Sequence, residues 1–195
     1  MPLAQNTIKK YTYQDYLNLP DDKRCEIIDG EFYDMTPAPK VKHQRISRKV
    51  SEILFANREK LKGCEYFIVP TDVVFDEYNI VQPDIFVVCD NTKITEDNIK
   101  GAPDLIIEIV SKSTELKDKR EKKNLYEKFK VKEYIIIYPE RDYIERFYLE
   151  DNSYPAPDIF NWDEKITLKT FDIEINLWEI FERQREENLK EPKEK

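Results

Sequence analysis

Two apolar runs on either side of a helical segment constrain the fold of this chain more than any other feature. DLIIEIV, at residues 104–110, and EYIIIYP, at residues 133–139, are nearly continuous apolar runs, typical of strands buried on both faces of a sheet. Between them, Ser113 and Thr114 mark the expected start of a helix that reaches about Lys130. A strand, a helix and a second strand in this order predict a crossover between two parallel strands.

The residues before this crossover predict one short helix, one long helix and several antiparallel strands. Thr12 and Asp15 have capping-box spacing, and Asp-Gly at 29–30 between two apolar runs predicts a hairpin. Apolar positions recur at helical spacing over about residues 40–58. The runs EYFIVPTDVVFDE and NIVQPDIFVVCD then predict two strands joined by a turn near residues 77–79.

After the crossover, YIERFYLE predicts an antiparallel strand, and ITLKTFDIEINLWEIFE predicts a last strand and a docking segment. The fold class is therefore α/β, or α+β with a mixed sheet. Its core order is αβββαβ, with an N-terminal helix and hairpin and with C-terminal strands. At 195 residues the chain fits one domain, expected over residues 1–182, with a charged and frayed tail at 183–195.

Composition excludes several kinds of site. The single histidine, His43, excludes HExxH and any site that needs two imidazoles, so a metal would be held mainly by oxygen, as Mg²⁺ or Mn²⁺ is. Only three glycines are present, which excludes a P-loop and a GxGxxG motif. We therefore expect no nucleotide cofactor.

The cysteines and the N-terminus predict a reducing location. Cys25, Cys64 and Cys89 are odd in number and far apart, so we expect three reduced, buried thiols and no disulfide framework. Residues 1–10 lack an apolar stretch of signal length, and no run approaches the length of a membrane span. A cytoplasmic protein without membrane contact is expected.

The net charge of −8 hides two basic stretches. Residues 40–49 carry five Lys or Arg and no acid, and residues 112–132 carry nine against four acids. On charge alone, these two stretches are interpreted as the solvated faces of helices, but the same stretches could position DNA phosphates. The residues expected to contact the DNA backbone are Lys40, Lys42, Arg45, Lys119 and Lys123.

Three acids stand where strands should be buried. Asp84 and Asp104 each follow a proline at the head of an apolar run, and Glu108 lies inside the second run. Four residues span roughly 13 Å along one strand, so Asp104 and Glu108 cannot grip one ion together. Asp84 and Glu108 can converge if their strands are neighbours, about 4.8 Å apart. Asp104 is left to start its strand or to form a surface pair.

A buried Glu108 needs either a basic partner or a metal ion, and the sequence leaves both open. On the following helix, Tyr126 and Phe129 mark the inward stripe, and stepping back along it gives Lys122 and Asp118. Lys122 is thus directed at the sheet, where it could snorkel, pair with an acid or serve a site. Asp118 and Tyr126 would support that site.

These residues carry a resemblance. An αβββαβ order with Pro-Asp on the second strand and an acid on the third resembles the PD-(D/E)XK nuclease superfamily. RCEIIDGEFYDM, HQRI, VQPDIFVV, GAPDLIIEIVSKST, DKREKKNLYEKF and VKEYIIIYP together look like the bacterial Uma-type family of restriction-endonuclease-like proteins, over about residues 12–182. The resemblance implies that Asp84, Glu108 and the backbone carbonyl of Ile109 hold a divalent ion.

The chain departs from the general motif at Val110, where lysine is usual. The resemblance to the Uma-type family implies that Lys122, on the next helix, takes that place. Glu26 and His43 also fall on family positions and could complete the site, although a capped or paired structural role stays equally open for each.

The expected function is Mg²⁺-dependent hydrolysis of DNA phosphodiester bonds, in which Lys122 orients the nucleophile or stabilises negative charge. One alternative is a catalytically inactive module that binds nucleic acid or protein, which Val110 and the acidic total favour. Another is a carboxylate hydrolase such as a glycosidase, which requires an open cleft lined with aromatic side chains. A homodimer would place two sites for double-strand cleavage, but the sequence identifies no interface.

Overall fold

The computed structural model describes residues 9–20, 23–35, 38–68 and 70–184. No helix within these ranges is long and apolar enough to cross a membrane. The helices and strands in chain order are α1 (Tyr13–Leu17), β1 (Cys25–Ile28), β2 (Glu31–Asp34), α2 (Val41–Ala56), β3 (Glu65–Phe67), β4 (Val73–Asp76), β5 (Asn79–Val81), β6 (Ile85–Val88), β7 (Ile99–Lys100), β8 (Leu105–Ile109), α3 (Glu115–Lys117), α4 (Lys123–Lys128), β9 (Glu133–Tyr138), β10 (Tyr143–Tyr148), β11 (Asp158–Asn161), β12 (Lys165–Leu168), β13 (Ile173–Asn176) and α5 (Leu177–Ile180).

In the part of the chain that the structure describes, the main sheet has six strands in the order β11-β10-β9-β8-β6-β3. β8 and β9 are parallel, which confirms the predicted crossover, whereas β6 is antiparallel to β8. All residues of β6, β8 and β9 are buried. The sheet is therefore mixed, and its central strands are covered on both faces, as their continuous apolar runs predicted.

A second sheet contains five described strands in the order β2-β1-β5-β4-β7, and β12 pairs with β13 in a separate hairpin. The predicted turn between β1 and β2 is confirmed, since Asp29 and Gly30 both have positive φ, at 50° and 80°. Thr12 and Asp15 form the predicted capping box at α1.

Two of the predicted strands are divided between the two sheets. The run EYFIVPTDVVFDE forms β3 in the main sheet and then β4 in the second sheet. The run NIVQPDIFVVCD forms β5 in the second sheet and then β6 in the main sheet. The prediction of one strand per run was wrong, because Pro70 and Pro83 lie at the breaks and proline donates no ladder hydrogen bond. As a result, Asp84 lies where the chain enters the main sheet.

The C-terminal prediction also needs correction. The run predicted as one last strand forms both β12 and β13, and β11 was not predicted. The docking segment is confirmed as α5, whose Leu177 and Ile180 are buried. The predicted tail, residues 183–195, falls mostly outside the described residues.

The core is built on both faces of the main sheet. On one face, Ile46, Val50 and Leu54 of α2 pack against alternate strand residues, including Ile107. On the other face, the helical segment formed by α3, a π turn over Asp118–Lys122 and α4 packs against the remaining strand residues. Each large apolar side chain buried in this way stabilises the fold by roughly 1.5–3 kcal/mol.

Two of the three cysteines form a disulfide, so the prediction of three reduced thiols was wrong. Cys64 and Cys89 are bonded, with their Cα atoms 3.9 Å apart. Antiparallel pairing of β3 with β6 makes these two residues neighbours across the sheet edge, a relation that their separation along the chain does not reveal. Cys25 is a free, buried thiol as predicted, and burial raises its pKa to about 11.

Candidate active site

A cavity of about 390 Å³ opens where α2 begins and where β8 ends. It is formed by the start of α2, the loop before β6, the end of β8 and the inner side of the helical segment. The sequence-predicted site residues that line it are Glu26, Lys40, Lys42, His43, Asp84, Glu108, Ile109, Asp118 and Lys122.

Pairing of β6 with β8 brings Asp84 and Glu108 together, as the strand geometry predicted. Glu108 Oε2 lies 3.4 Å from the backbone nitrogen of Asp84, and Ile109 N–H donates to Asp84 Oδ2 at 2.8 Å. Asp104, at the other end of β8, accepts a hydrogen bond from the backbone N–H of Cys89, the residue after β6, and pairs with Lys132 at 2.6 Å. The two Pro-Asp residues therefore lie at opposite ends of the pair of strands.

Lys122 is the centre of a buried ion cluster. Its Nζ lies 2.8 Å from Oε1 of Glu26 and of Glu108, and 3.5 Å from Oδ1 of Asp118. The side chain of Lys122 is only 4% exposed. Burial acts to lower the pKa of Lys122, but the three carboxylates outweigh it and hold that pKa well above its usual value. The ion pair that the sequence left open for Lys122 is present.

Lys117 also belongs to this cluster, and the sequence reasoning missed it. Its Nζ lies 2.5 Å from Glu26 Oε2, its side chain is 15% exposed, and it lines the cavity. Lys117 falls outside the stripe expected for a regular α-helix. The π turn that follows it has i→i+5 hydrogen bonds, which bring residues five apart, such as Lys117 and Lys122, closer around the helix.

The carboxyl group of Glu108 has a strongly raised pKa. Its Oε1 accepts hydrogen bonds from Lys122 Nζ and from Tyr126 Oη, both at 2.8 Å. Burial raises the pKa of Glu108 to about 8; Lys122 opposes this shift, and the charges of Asp118 and Asp84 add to it. Tyr126 does not line the cavity but holds Glu108 from behind it.

We use the name carboxylate cluster for Glu26, Asp84, Glu108, Asp118, Lys117 and Lys122. If every member is ionised, this set carries two more negative than positive charges. Although burial acts to raise the pKa of Glu26, Lys122 and Lys117 lower it, whereas burial raises the pKa of Asp118. The carboxylates of the cluster therefore outnumber its ammonium groups, and the raised pKa of Glu108 is a sign of this imbalance.

His43 fixes the orientation of Asp84. His43 Nε2 lies 3.1 Å from Asp84 Oδ1, in position to donate a hydrogen bond. His43 Nδ1 is buried and has no hydrogen-bond partner among the described residues. With Oδ2 held by Ile109 N–H, both oxygens of Asp84 have a defined direction.

The oxygen donors of the cavity fit Mg²⁺ or Mn²⁺. In the described part of the chain, no group of three or more His, Cys, Asp and Glu side chains is arranged to hold a metal ion. Magnesium, however, usually takes one or two carboxylates and keeps several waters, unlike zinc, which needs a fuller set of protein ligands. Asp84, Glu108 and the Ile109 carbonyl suit the first ion and not the second.

The predicted DNA-backbone residues divide into two groups. Lys40 and Lys42 line the cavity, and Arg45 lies one helical turn further along α2. Each of the three has an acidic neighbour: Lys40 lies 3.7 Å from Glu140, and the corresponding distances are 3.0 Å from Lys42 to Asp142 and 3.4 Å from Arg45 to Glu182. These three side chains are all at least 44% exposed.

Lys119 and Lys123 do not line the cavity. Lys119 Nζ lies 2.7 Å from Glu145 on β10, and Lys123 Nζ lies 3.0 Å from Glu127 on its own helix. The cavity is therefore bordered by the basic start of α2 and not by these two lysines.

The raised pKa of Glu108 predicts a pH-dependent stability in the absence of divalent ions. The folded pKa is about 8 and the ordinary value is 4.5, so between these values the folded protein keeps a proton that the unfolded chain releases. The contribution of Glu108 to the free energy of unfolding is thus largest below pH 4.5 and is lost as the pH rises to about 8. We expect Glu108→Gln to gain stability relative to wild type from about pH 5 to about pH 8. Urea unfolding in EDTA would measure the difference; a difference that stays constant with pH would contradict the prediction.

A family model identifies the class of protein to which this chain belongs. The model of the Uma2 family, described as "Putative restriction endonuclease", matches residues 13–178. Since this match covers most of the chain, the chain belongs to the Uma2 family. No curated protein sequence matches it.

A solved structure is similar over nearly its whole length. It is described as the crystal structure of a putative nuclease belonging to DUF820 from Anabaena variabilis, with a TM-score of 0.72 and 19% sequence identity. The match covers 88% of this chain and 97% of that chain. At this identity the likeness shows the fold, which is the restriction-endonuclease-like fold predicted from the sequence.

Proposed function

We propose that this chain is an endonuclease that hydrolyses DNA phosphodiester bonds with Mg²⁺ or Mn²⁺ held by Asp84, Glu108 and the carbonyl of Ile109. One observation carries the proposal: two carboxylates from neighbouring strands converge in a cavity where buried carboxylates outnumber ammonium groups. A divalent cation bound by these carboxylates would offset their excess of negative charge. Membership of the Uma2 family supports the nuclease class.

The two carboxylates differ in how fully their oxygens are engaged. Glu108 Oε1 accepts from Lys122 and Tyr126, whereas the one contact of Oε2 among the described residues is the 3.4 Å approach to the backbone nitrogen of Asp84. Asp84 is oriented by His43 and by Ile109 N–H. A bound divalent ion would lower the pKa of a water ligand and neutralise charge on the phosphate.

Lys122 and Glu26 have supporting roles in this proposal. Glu26 accepts from Lys122 at 2.8 Å and also from the backbone N–H of Gln82, so it fixes the ammonium group next to Glu108. The ammonium group can then stabilise negative charge that develops on the phosphate, without reorganisation. This places a lysine beside the acid although Val110 occupies the usual motif position.

Lys40, Lys42 and Arg45 are proposed to position the DNA backbone. Lys42 pairs with Asp142, whose side chain is only 9% exposed, whereas the pairs of Lys40 with Glu140 and of Arg45 with Glu182 are largely exposed. Exposed pairs of this kind contribute only about 0–1 kcal/mol each. Exchanging the acids of these exposed pairs for DNA phosphates therefore costs little, and the released counterions favour binding. Lys119 and Lys123 would make outer contacts, further from the cavity.

A non-catalytic module is the second candidate, because Lys122 already neutralises part of the buried carboxylate charge in a closed network. A glycosidase is disfavoured, since none of the described residues that line the cavity is Phe, Tyr or Trp.

The test is a cleavage assay on plasmid and single-stranded DNA with Mg²⁺, with Mn²⁺ and with EDTA. We expect cleavage with either ion and none in EDTA or with Asp84→Asn. Cleavage that persists in EDTA, or that is absent with every divalent ion, would overturn the proposal. Binding of DNA without cleavage would instead support the module.

A further inference from the structure

A second cavity, of about 360 Å³, lies beside the first at the carboxyl ends of β8 and β9. The two cavities share four lining residues, so they are adjacent. The shared residues are Val110, Ser111, Pro139 and Glu140. What distinguishes the second cavity is that Tyr138 and Arg141 line it.

Arg141 lies against a pair of stacked tyrosine rings at this cavity. Tyr138 of β9 and Tyr143 of β10 are register partners, and their rings lie 4.4 Å apart with an interplanar angle of 8°. The guanidinium carbon of Arg141 lies 4.8 Å from the Tyr138 centroid and 5.4 Å from the Tyr143 centroid. Because paired strands carry both rings, the stack is fixed to the main sheet.

The guanidinium group is held in place and yet remains accessible. Arg141 Nη2 donates to Glu115 Oε1 at 2.5 Å, at the start of the helical segment. The Arg141 side chain is nevertheless 51% exposed. A planar, charged group that is fixed on one side and open to solvent is suited to receive a flat ring.

We propose that Arg141, supported by Tyr138 and Tyr143, is a stacking subsite for an unpaired nucleobase of the DNA strand adjacent to the scissile phosphate. This inference rests on the proposed function. Arginine planes and aromatic side chains bind unpaired bases by stacking, whatever the base, whereas a base within a duplex is already stacked on both sides.

The charges around the second cavity favour a base over a phosphate. Lys112 and Arg141 are accompanied by Glu115 and Glu140 among its lining residues, so the positive charges are balanced. A phosphate gains little from a balanced site, whereas an uncharged base loses nothing there. The first cavity, which is lined by the basic start of α2, is better suited to bind the phosphate.

The test measures binding of a single-stranded DNA oligonucleotide and of the same oligonucleotide with abasic positions, by fluorescence anisotropy in EDTA. Wild type should bind the intact strand about tenfold more tightly than the abasic strand. Arg141→Lys keeps the positive charge but removes the plane, so it should lose about tenfold in affinity for the intact strand and lose the discrimination. Arg58→Lys is the matched control, since Arg58 lies 5.4 Å over Phe55 and lines neither cavity.

Equal binding of intact and abasic strands by wild type, or unchanged discrimination in Arg141→Lys, would overturn the subsite. Cleavage assays on the same proteins separate this failure from that of the proposed function. Base-dependent binding without cleavage by any divalent ion overturns hydrolysis and supports the subsite. Cleavage without base-dependent binding supports hydrolysis and overturns the subsite. If neither base-dependent binding nor cleavage is observed, both the subsite and the hydrolysis are overturned.

Discussion

Asp84→Asn is expected to lower the rate of Mg²⁺-dependent DNA cleavage by about 10³-fold or more, with little change in stability. Asparagine keeps the size of the side chain and an oxygen that can accept from Ile109 N–H, a bond that is 2.8 Å long in the wild type. It removes the negative charge that would hold the ion. The loss corresponds to several kcal/mol of transition-state stabilisation, as expected for a metal ligand.

The chain offers a closely matched control for this substitution. Asp104 also follows a proline at the head of an apolar run, but it pairs with Lys132 at the opposite end of β8. Asp104→Asn should therefore leave the cleavage rate unchanged. Single-turnover cleavage with Mg²⁺ would compare the two variants, and thermal unfolding would check their folding. Equal losses of activity in both, or none in Asp84→Asn, would contradict the assignment.

The sequence could predict which acids meet, because that relation depends only on strand geometry. Four residues along one strand separate Asp104 from Glu108 by roughly 13 Å, whereas neighbouring strands bring Asp84 and Glu108 together. The parallel crossover could also be predicted from the sequence, since two continuous apolar runs on either side of a helical segment are compatible with few other arrangements of strands. Even the direction of Lys122 followed from the helical period of its neighbours.

The features that the sequence did not predict are those that depend on pairing or on irregular backbone. Cys64 and Cys89 become neighbours only through the register of an edge strand with its partner. Lys117 joins the carboxylate cluster beside a π turn, which an α-helical period cannot indicate. Pro70 and Pro83 each interrupt an apolar run, but the sequence around them does not indicate that the two halves of each run join different sheets.

The carboxylate cluster links the stability of the fold to the proposed chemistry. A buried carboxyl whose pKa is raised to about 8 is poorly stabilised as a charged group. Such a group is a functional-site candidate, because a cation that binds there would interact with a negative charge that the fold itself stabilises poorly. The same physical cause makes the cluster sensitive to the loss of its central cation.

Lys122→Met is accordingly expected to lower the free energy of unfolding by about 3–5 kcal/mol at neutral pH in EDTA. Methionine fills a similar volume but leaves Glu26, Glu108 and Asp118 without the ammonium group that they share. Because a domain of this size is stabilised by only about 5–15 kcal/mol, the loss is a large share of the total. Urea unfolding monitored by circular dichroism would measure it.

Two further variants test whether the loss arises from unpaired buried charge. Lys123→Met removes the adjacent lysine, whose pair with Glu127 is partly exposed, and should cost less than about 1 kcal/mol. Glu108→Gln should stabilise Lys122→Met by more than it stabilises wild type at the same pH, because without the ammonium group Glu108 is even less stable as a charged group. If Glu108→Gln stabilised Lys122→Met no more than it stabilised wild type, loss of the Lys122 charge beside Glu108 could not be the cause. The loss would then reflect the packing of the Lys122 side chain, and the cluster would not be short of positive charge in the way the divalent-ion proposal requires.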